Sequence, residues 1–170
     1  MALRPAKCYR VHKRAYTRVS TSKPRKSYVK GVPVSKIHRF EMGNRAKVFP
    51  TTMYLVSKQA VNMRNNAMEA ARIAVNKELE KIGAENYFLK ILPFPHQIMR
   101  ENPMATGAGA DRFQTGMRLS FGKPIGTAAR IRAGQRIMMI RIDKANEGVA
   151  KKALKIAASK IPCTSLVVYQ

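Results

Sequence analysis

The chain has 170 residues, 45% of them hydrophobic, enough for one substantial core and too few for two domains of typical size. Thirty-three Lys and Arg against nine Asp and Glu give a formal charge of +24, a self-repulsion that a polyanionic partner would relieve. No apolar run reaches the roughly 18–20 residues of a membrane span, the N-terminus has no apolar signal core, and Cys8 and Cys163, only two and with no export signal, make no disulfide framework; membrane and secreted classes are set aside in favour of a soluble cytoplasmic chain.

Residues 1–40 carry twelve basic side chains and no acid. Arg4, Lys7, Arg10, Lys13, Arg14, Arg18, Lys23, Arg25, Lys26 and Lys30 are spread along it, with Tyr9, Tyr16 and Tyr28 between them. Apolar residues are too sparse before Val32 to form a core, so residues 1–30 read as an extended arm that orders against its partner. Basic residues spaced among rings that can stack on bases suit nucleic acid better than a compact localisation signal.

The composition changes at Gly31, where a single domain over residues 31–170 is expected to begin. Residues 37–42 and 49–56 have the β-branched and aromatic content of strands. Ser57 offers an N-cap for a long helix over 58–82, with Val61, Met68, Ala71, Val75, Leu79 and Ile82 on one arc and Gly83 as its stop. Glu69, Glu78 and Glu80 make its outer face a poor surface for phosphates and a better one for protein or solvent. Residues 86–92 read as a buried strand ended by Pro93 and Pro95, and residues 96–101 as its successor.

A glycine-rich stretch follows, the core of a protruding loop over about residues 102–126, with Gly107, Gly109, Gly116, Gly122 and Gly126 among Arg112, Gln114, Arg118 and Lys123. Glycine allows close approach and positive φ, so such a loop suits a large anionic surface. Residues 127–132 and 136–142 flank Ala133-Gly134-Gln135 and read as a β-hairpin carrying Arg130, Arg132, Arg136 and Arg141 and no acid, a phosphate-facing surface. A second helix over 145–161, basic along Lys151, Lys152 and Lys155, ends at Pro162, and residues 164–169 close the chain as a strand.

Catalytic chemistry finds little support. His12, His38 and His96 are dispersed, Cys8 and His12 lack a second pair of metal ligands, and Glu78 and Glu80 point about 200° apart on a helix. The glycine-rich stretch fails as a dinucleotide fingerprint because Arg112 replaces the third glycine, and as a P-loop because Pro124 follows Lys123. No enzyme activity, cofactor or metal is expected.

Five stretches carry a specific resemblance: Arg4-Pro-Ala-Lys-Cys-Tyr-Arg10, Lys30-Gly-Val-Pro33, Glu69-Ala-Ala-Arg-Ile73, Ala108-Gly-Ala-Asp-Arg-Phe-Gln-Thr-Gly-Met-Arg118 and Phe121-Gly-Lys-Pro124. In this order they resemble the large-subunit ribosomal protein family L-ten-e, the archaeal and eukaryotic form of universal L-sixteen, and the short C-terminus resembles its archaeal members. The resemblance implies an α+β hammerhead fold with two helices on a mainly antiparallel sheet. It also implies binding to large-subunit rRNA with the 5S rRNA nearby, contact with neighbouring ribosomal proteins, no homo-oligomer, and a loop directed toward tRNA near the aminoacyl-tRNA site and the peptidyl-transferase centre. On this reading Gly107, Gly109, Arg112, Gln114, Gly116, Arg118 and Lys123 meet tRNA or rRNA. The competing reading is a non-ribosomal basic nucleic-acid-binding protein of the RNA-chaperone or chromatin type, which charge and arm alone would fit equally.

Overall fold

The computed structural model describes residues 4–11 and 29–169. Among the described residues eight strands form two antiparallel sheets. The larger contains β1 (Glu41–Gly43), β4 (Tyr87–Ile91), β7 (Arg136–Ile142), β2 (Thr51–Ser57) and β8 (Ser165–Tyr169), in that spatial order. The smaller is β3 (Val61–Arg64), β6 (Lys123–Ile131) and β5 (Gln97–Glu101). Helices α1 (Asn65–Leu79) and α2 (Glu147–Lys160) pack on each other and cover one face of the larger sheet, which is the α+β arrangement the sequence predicts.

Alternation decides which face of the larger sheet is covered. Met53, Leu55, Leu89, Ile91, Met138, Ile140 and Ile142 point to one side and meet Met68, Ala71, Val75 and Leu79 of α1 with Ala150, Ala153, Leu154 and Ala157 of α2. The small residues on α2 let its backbone approach the sheet closely. Phe88 and Met139 occupy the intervening positions, so they emerge on the opposite face and build a second, smaller cluster there with Phe49 and Tyr54.

Four elements depart from the sequence-based reading. The first strand is Glu41–Gly43 rather than 37–42, because pairing is confined to the residues facing Phe88, Leu89 and Lys90 of β4, while buried Ile37 anchors an irregular segment. The long helix begins at Asn65, not near residue 58. Val61 and Met63 are buried and Asn62 and Arg64 less so, an alternation that pairs with β6 as a strand. The Ser57 hydroxyl donates to the Gln59 carbonyl at 2.7 Å in the turn before that strand instead of capping a helix. Gly83 does terminate the helical region, at φ 86° after a 3-10 turn over Glu80–Ile82.

The third departure is the expected hairpin. β6 and β7 belong to different sheets, and the turn between them pairs instead with β2, through Gly134 N–H to the Ser57 carbonyl at 2.8 Å and Ser57 N–H to the Gln135 carbonyl at 3.0 Å. The chain crosses from one sheet to the other at Gly134, φ 77°. Fourth, β6 starts at Lys123, so the protruding segment is the connection between paired strands β5 and β6, residues 102–122.

Candidate nucleic-acid interface

Residues 4–11 of the arm lie on the smaller sheet. Asn62 on β3 donates its backbone N–H to the Arg10 carbonyl at 3.1 Å and its side-chain amide to the Val11 carbonyl at 2.7 Å, and Arg64 Nη1 reaches the Arg4 carbonyl at 2.9 Å. The Tyr9 hydroxyl donates to Glu101 Oε2 at 2.8 Å, Arg4 pairs with Glu101 Oε1, and the Arg64 guanidinium lies 5.4 Å from the Tyr9 ring centre. Burial, then the bond to Glu101, pushes the Tyr9 phenol up to about 12, so it stays a neutral donor. Arg4 is thus tied to Glu101 while Lys7, Arg10 and Lys30 remain exposed. Lys13, Arg14, Arg18, Lys23, Arg25 and Lys26, with Tyr16 and Tyr28, lie outside the described residues.

The face of the larger sheet away from the helices carries cations laid over aromatic rings. The Arg136 guanidinium sits 4.1 Å from the Tyr54 ring centre, Arg141 lies 5.7 Å from Phe88, and Lys47 Nζ lies 5.1 Å from Phe49. Register produces the Arg141 contact, since Arg141 stands directly opposite Phe88 in the β4–β7 pair. Such stacking orients a guanidinium and leaves its N–H edges available to phosphate. Lys47 is held in addition by Asp143 at 2.8 Å, and Lys90 by Glu41 at 2.5 Å, a bond that keeps the Glu41 carboxyl below its ordinary range. Arg136 and Arg141 therefore share this face, whereas Arg130 lies on β6 of the smaller sheet and Arg132 just past that strand's end, both exposed; the four do not ride on one hairpin.

The 102–122 connection is built from within. Gln114 accepts from Ala105 N–H at 2.6 Å and donates to the Ala105 carbonyl at 2.9 Å, so one side chain closes the loop across nine positions. At its base Gly122 has φ 76°, and a Cβ there would lie 2.7 Å from the Glu101 carbonyl carbon and 2.8 Å from its oxygen. Arg100 crosses beneath, with Nη1 on the Phe121 carbonyl at 2.7 Å and its guanidinium 3.5 Å from the Phe121 ring centre. Gly107, Gly109 and Gly116 all have positive φ with open space where a Cβ would stand, so they are required by backbone conformation and not by crowding.

On this frame Arg112, Arg118 and Lys123 are exposed. So are Met104, Phe113, Met117, Leu119 and Phe121, with Phe113 87% exposed. Large apolar side chains this exposed on a projecting loop mark a contact surface. Glycine and arginine dominate the loop's sequence, and the signal for these side chains is five large apolar residues, Met104, Phe113, Met117, Leu119 and Phe121, set among glycines and polar residues too short of apolar neighbours to form a core of their own.

Among the described residues no three His, Cys, Asp or Glu side chains stand close enough to hold a metal ion, and no helix is long and apolar enough to cross a membrane. The arrangement offers cation-bearing surfaces, stacked rings and a braced loop.

Comparison with known proteins agrees with these features. The family model described as ribosomal protein L16p/L10e matches residues 16–168. Proteins named large ribosomal subunit protein uL16 are similar along their length: that of Picrophilus torridus is 47% identical over 99% of this chain and 93% of its own, and that of Archaeoglobus fulgidus 44% identical over 100% and 94%. The Methanococcus maripaludis protein is 46% identical over 99% and 94%. The chain belongs to the ribosomal protein L16p/L10e family, in its archaeal form.

Proposed function

We propose that this member of the L16p/L10e family holds large-subunit rRNA through its arm and its arginine-bearing surfaces, and that its loop helps position tRNA near the aminoacyl-tRNA site and the peptidyl-transferase centre. Family membership makes the chain a structural constituent of the large ribosomal subunit, with ribosomal RNA and ribosomal proteins as its partners. It disfavours a non-ribosomal chaperone or chromatin role. The 5S rRNA nearby, the tRNA contact, the absence of a homo-oligomer and a cytoplasmic location belong to the proposal.

Exposed Lys7, Arg10, Lys30, Arg130, Arg132 and Arg136 neutralise phosphates and release counterions, which favours binding and fixes RNA strands without reading their sequence. The loop then acts by position. Arg112, Arg118 and Lys123 contact phosphate or ribose, and any effect on peptide-bond formation comes from orienting substrates, not from proton transfer.

The observation that supports the loop's role is its construction: a 21-residue connection closed on itself by Gln114 and braced at Gly122 presents cations and exposed rings outward. Subunits carrying Arg112→Ala and Arg118→Ala should assemble and bind acceptor-site tRNA about tenfold or more weaker, the loss of one or two charge-assisted contacts. Normal tRNA binding by such subunits would remove the positioning role.

A further inference from the structure

A cavity of about 300 Å³ lies where the docked arm, the segment at 33–36, the first turn of α1 and the β5–β6 ribbon meet. Its walls are mainly apolar, from Pro33, Met99, Pro124, Ile125 and the Tyr9 ring. Arg4, Lys36 and Arg64 also line it, against the single carboxylate of Glu101, which is already engaged by Tyr9 and Arg4. Two adjacent asparagines at the start of α1 differ in one respect. Asn65 Nδ2 donates to Thr127 Oγ1 at 3.0 Å, whereas Asn66 Oδ1 is buried without a hydrogen-bond partner. A buried acceptor left unpaired is costly, and a small rotation of the Asn66 amide toward the adjoining cavity would offer it to a donor from outside the chain.

We propose that this cavity receives one unstacked nucleobase of the rRNA, with a base N–H donating to Asn66 Oδ1 and the flanking phosphates meeting Lys36 and Arg64. The proposal rests on the rRNA-binding reading above and adds a point of base recognition to it. The volume lies at the lower end of pockets that enclose a small organic ring, about 300 Å³ and upward. Apolar walls with one hydrogen-bonding group and cations beside them are how splayed-out RNA bases are held. The room arises partly from Gly126, which stands opposite Met99 in the β5–β6 pair and contributes no side chain. A Cβ at Gly126 would come no closer than 3.4 Å to Met99 Cε, the end of a flexible side chain, and its φ is one that any residue adopts, so a larger residue there would fill the cavity without breaking the strand.

The test uses assembled large subunits. A photo-reactive benzoylphenylalanine at Val34, which lines the cavity and is 81% exposed, should cross-link to a single rRNA nucleotide, and that base should be protected from base-specific chemical probes. Asn66→Leu should raise its reactivity about fivefold, the worth of one hydrogen bond, and Gly126→Val, which fills the space the base would take, by at least as much, while both proteins still sediment with the subunit. Asn66→Leu should not lower the thermal midpoint, because it removes an unpaired acceptor, and this separates lost recognition from lost folding. If both variants and wild type sediment with the subunit and no base changes reactivity, the pocket is overturned and the rRNA reading stands. If wild type fails to sediment with the subunit, both fall. Saturable cross-linking of the Val34 probe to a nucleoside monophosphate, with no rRNA adduct in subunits, would assign the pocket to a free nucleotide and overturn the proposal.

Discussion

Tyr9 and Glu101 are 92 positions apart in the chain and joined by a 2.8 Å hydrogen bond that fastens the N-terminal arm to the strand at the root of the projecting loop. Glu101 is also the last residue of β5, paired with Lys123 where β6 begins. One carboxylate thus links the two parts proposed to meet RNA. Tyr9→Phe should release residues 4–11 from the smaller sheet at a cost of about 1 kcal/mol, read as faster amide exchange at Asn62, whose N–H bonds to the Arg10 carbonyl. The phenol, raised from 10 to about 12, favours the docked state fully below pH 10 and loses that contribution as pH climbs from 10 through about 12. Phenolate absorbance in wild type minus Tyr9→Phe should therefore show a tyrosine still protonated at pH 11, and a Tyr9 titrating near 10 would contradict the docking.

Gln114 bonds both backbone groups of Ala105 and contacts no other element through those bonds. Gln114→Ala should loosen the loop locally by about 1–2 kcal/mol, seen as faster exchange of the Ala105 amide, with the thermal midpoint of the whole domain unchanged. Unaltered exchange at Ala105 would show that the loop is held by other means.

Gly122 and Gly107 separate crowding from conformation. Both have positive φ, but only Gly122 faces backbone where a Cβ would go. Gly122→Ala should cost about 3 kcal/mol in denaturant unfolding, combining strain with displacement of the Glu101 peptide, whereas Gly107→Ala should cost about 1 kcal/mol and act only within the loop. Equal effects would mean that the β5–β6 base yields more easily than its packing indicates.

Much of this architecture was legible from local pattern. Tyr87, Leu89 and Ile91 alternate as a strand, the apolar arc from Met68 to Leu79 repeats at helical spacing, and Gly83 marks the stop. What escaped was decided by distant partners. Val61 fits a helical arc and an alternating strand equally, and β6 settles the choice. Ala133-Gly134-Gln135 has the composition of a hairpin turn, yet Ser57 captures its backbone and sends β7 to the other sheet. The candidate interface shows the same division. Which residues are basic is plain from sequence, whereas Arg141 over Phe88, Arg136 over Tyr54 and the diversion of Arg4 to Glu101 follow only from register and packing.

Electrostatic binding of rRNA by these surfaces is tested most directly by titrating rRNA-fragment affinity against potassium chloride. For the full chain, affinity should fall by about a thousandfold or more between about 50 and 200 mM salt, as six or more phosphate contacts require. Arg136→Gln and Arg141→Gln should each flatten the log–log slope by about one. A wild-type slope near zero over that range would contradict the account.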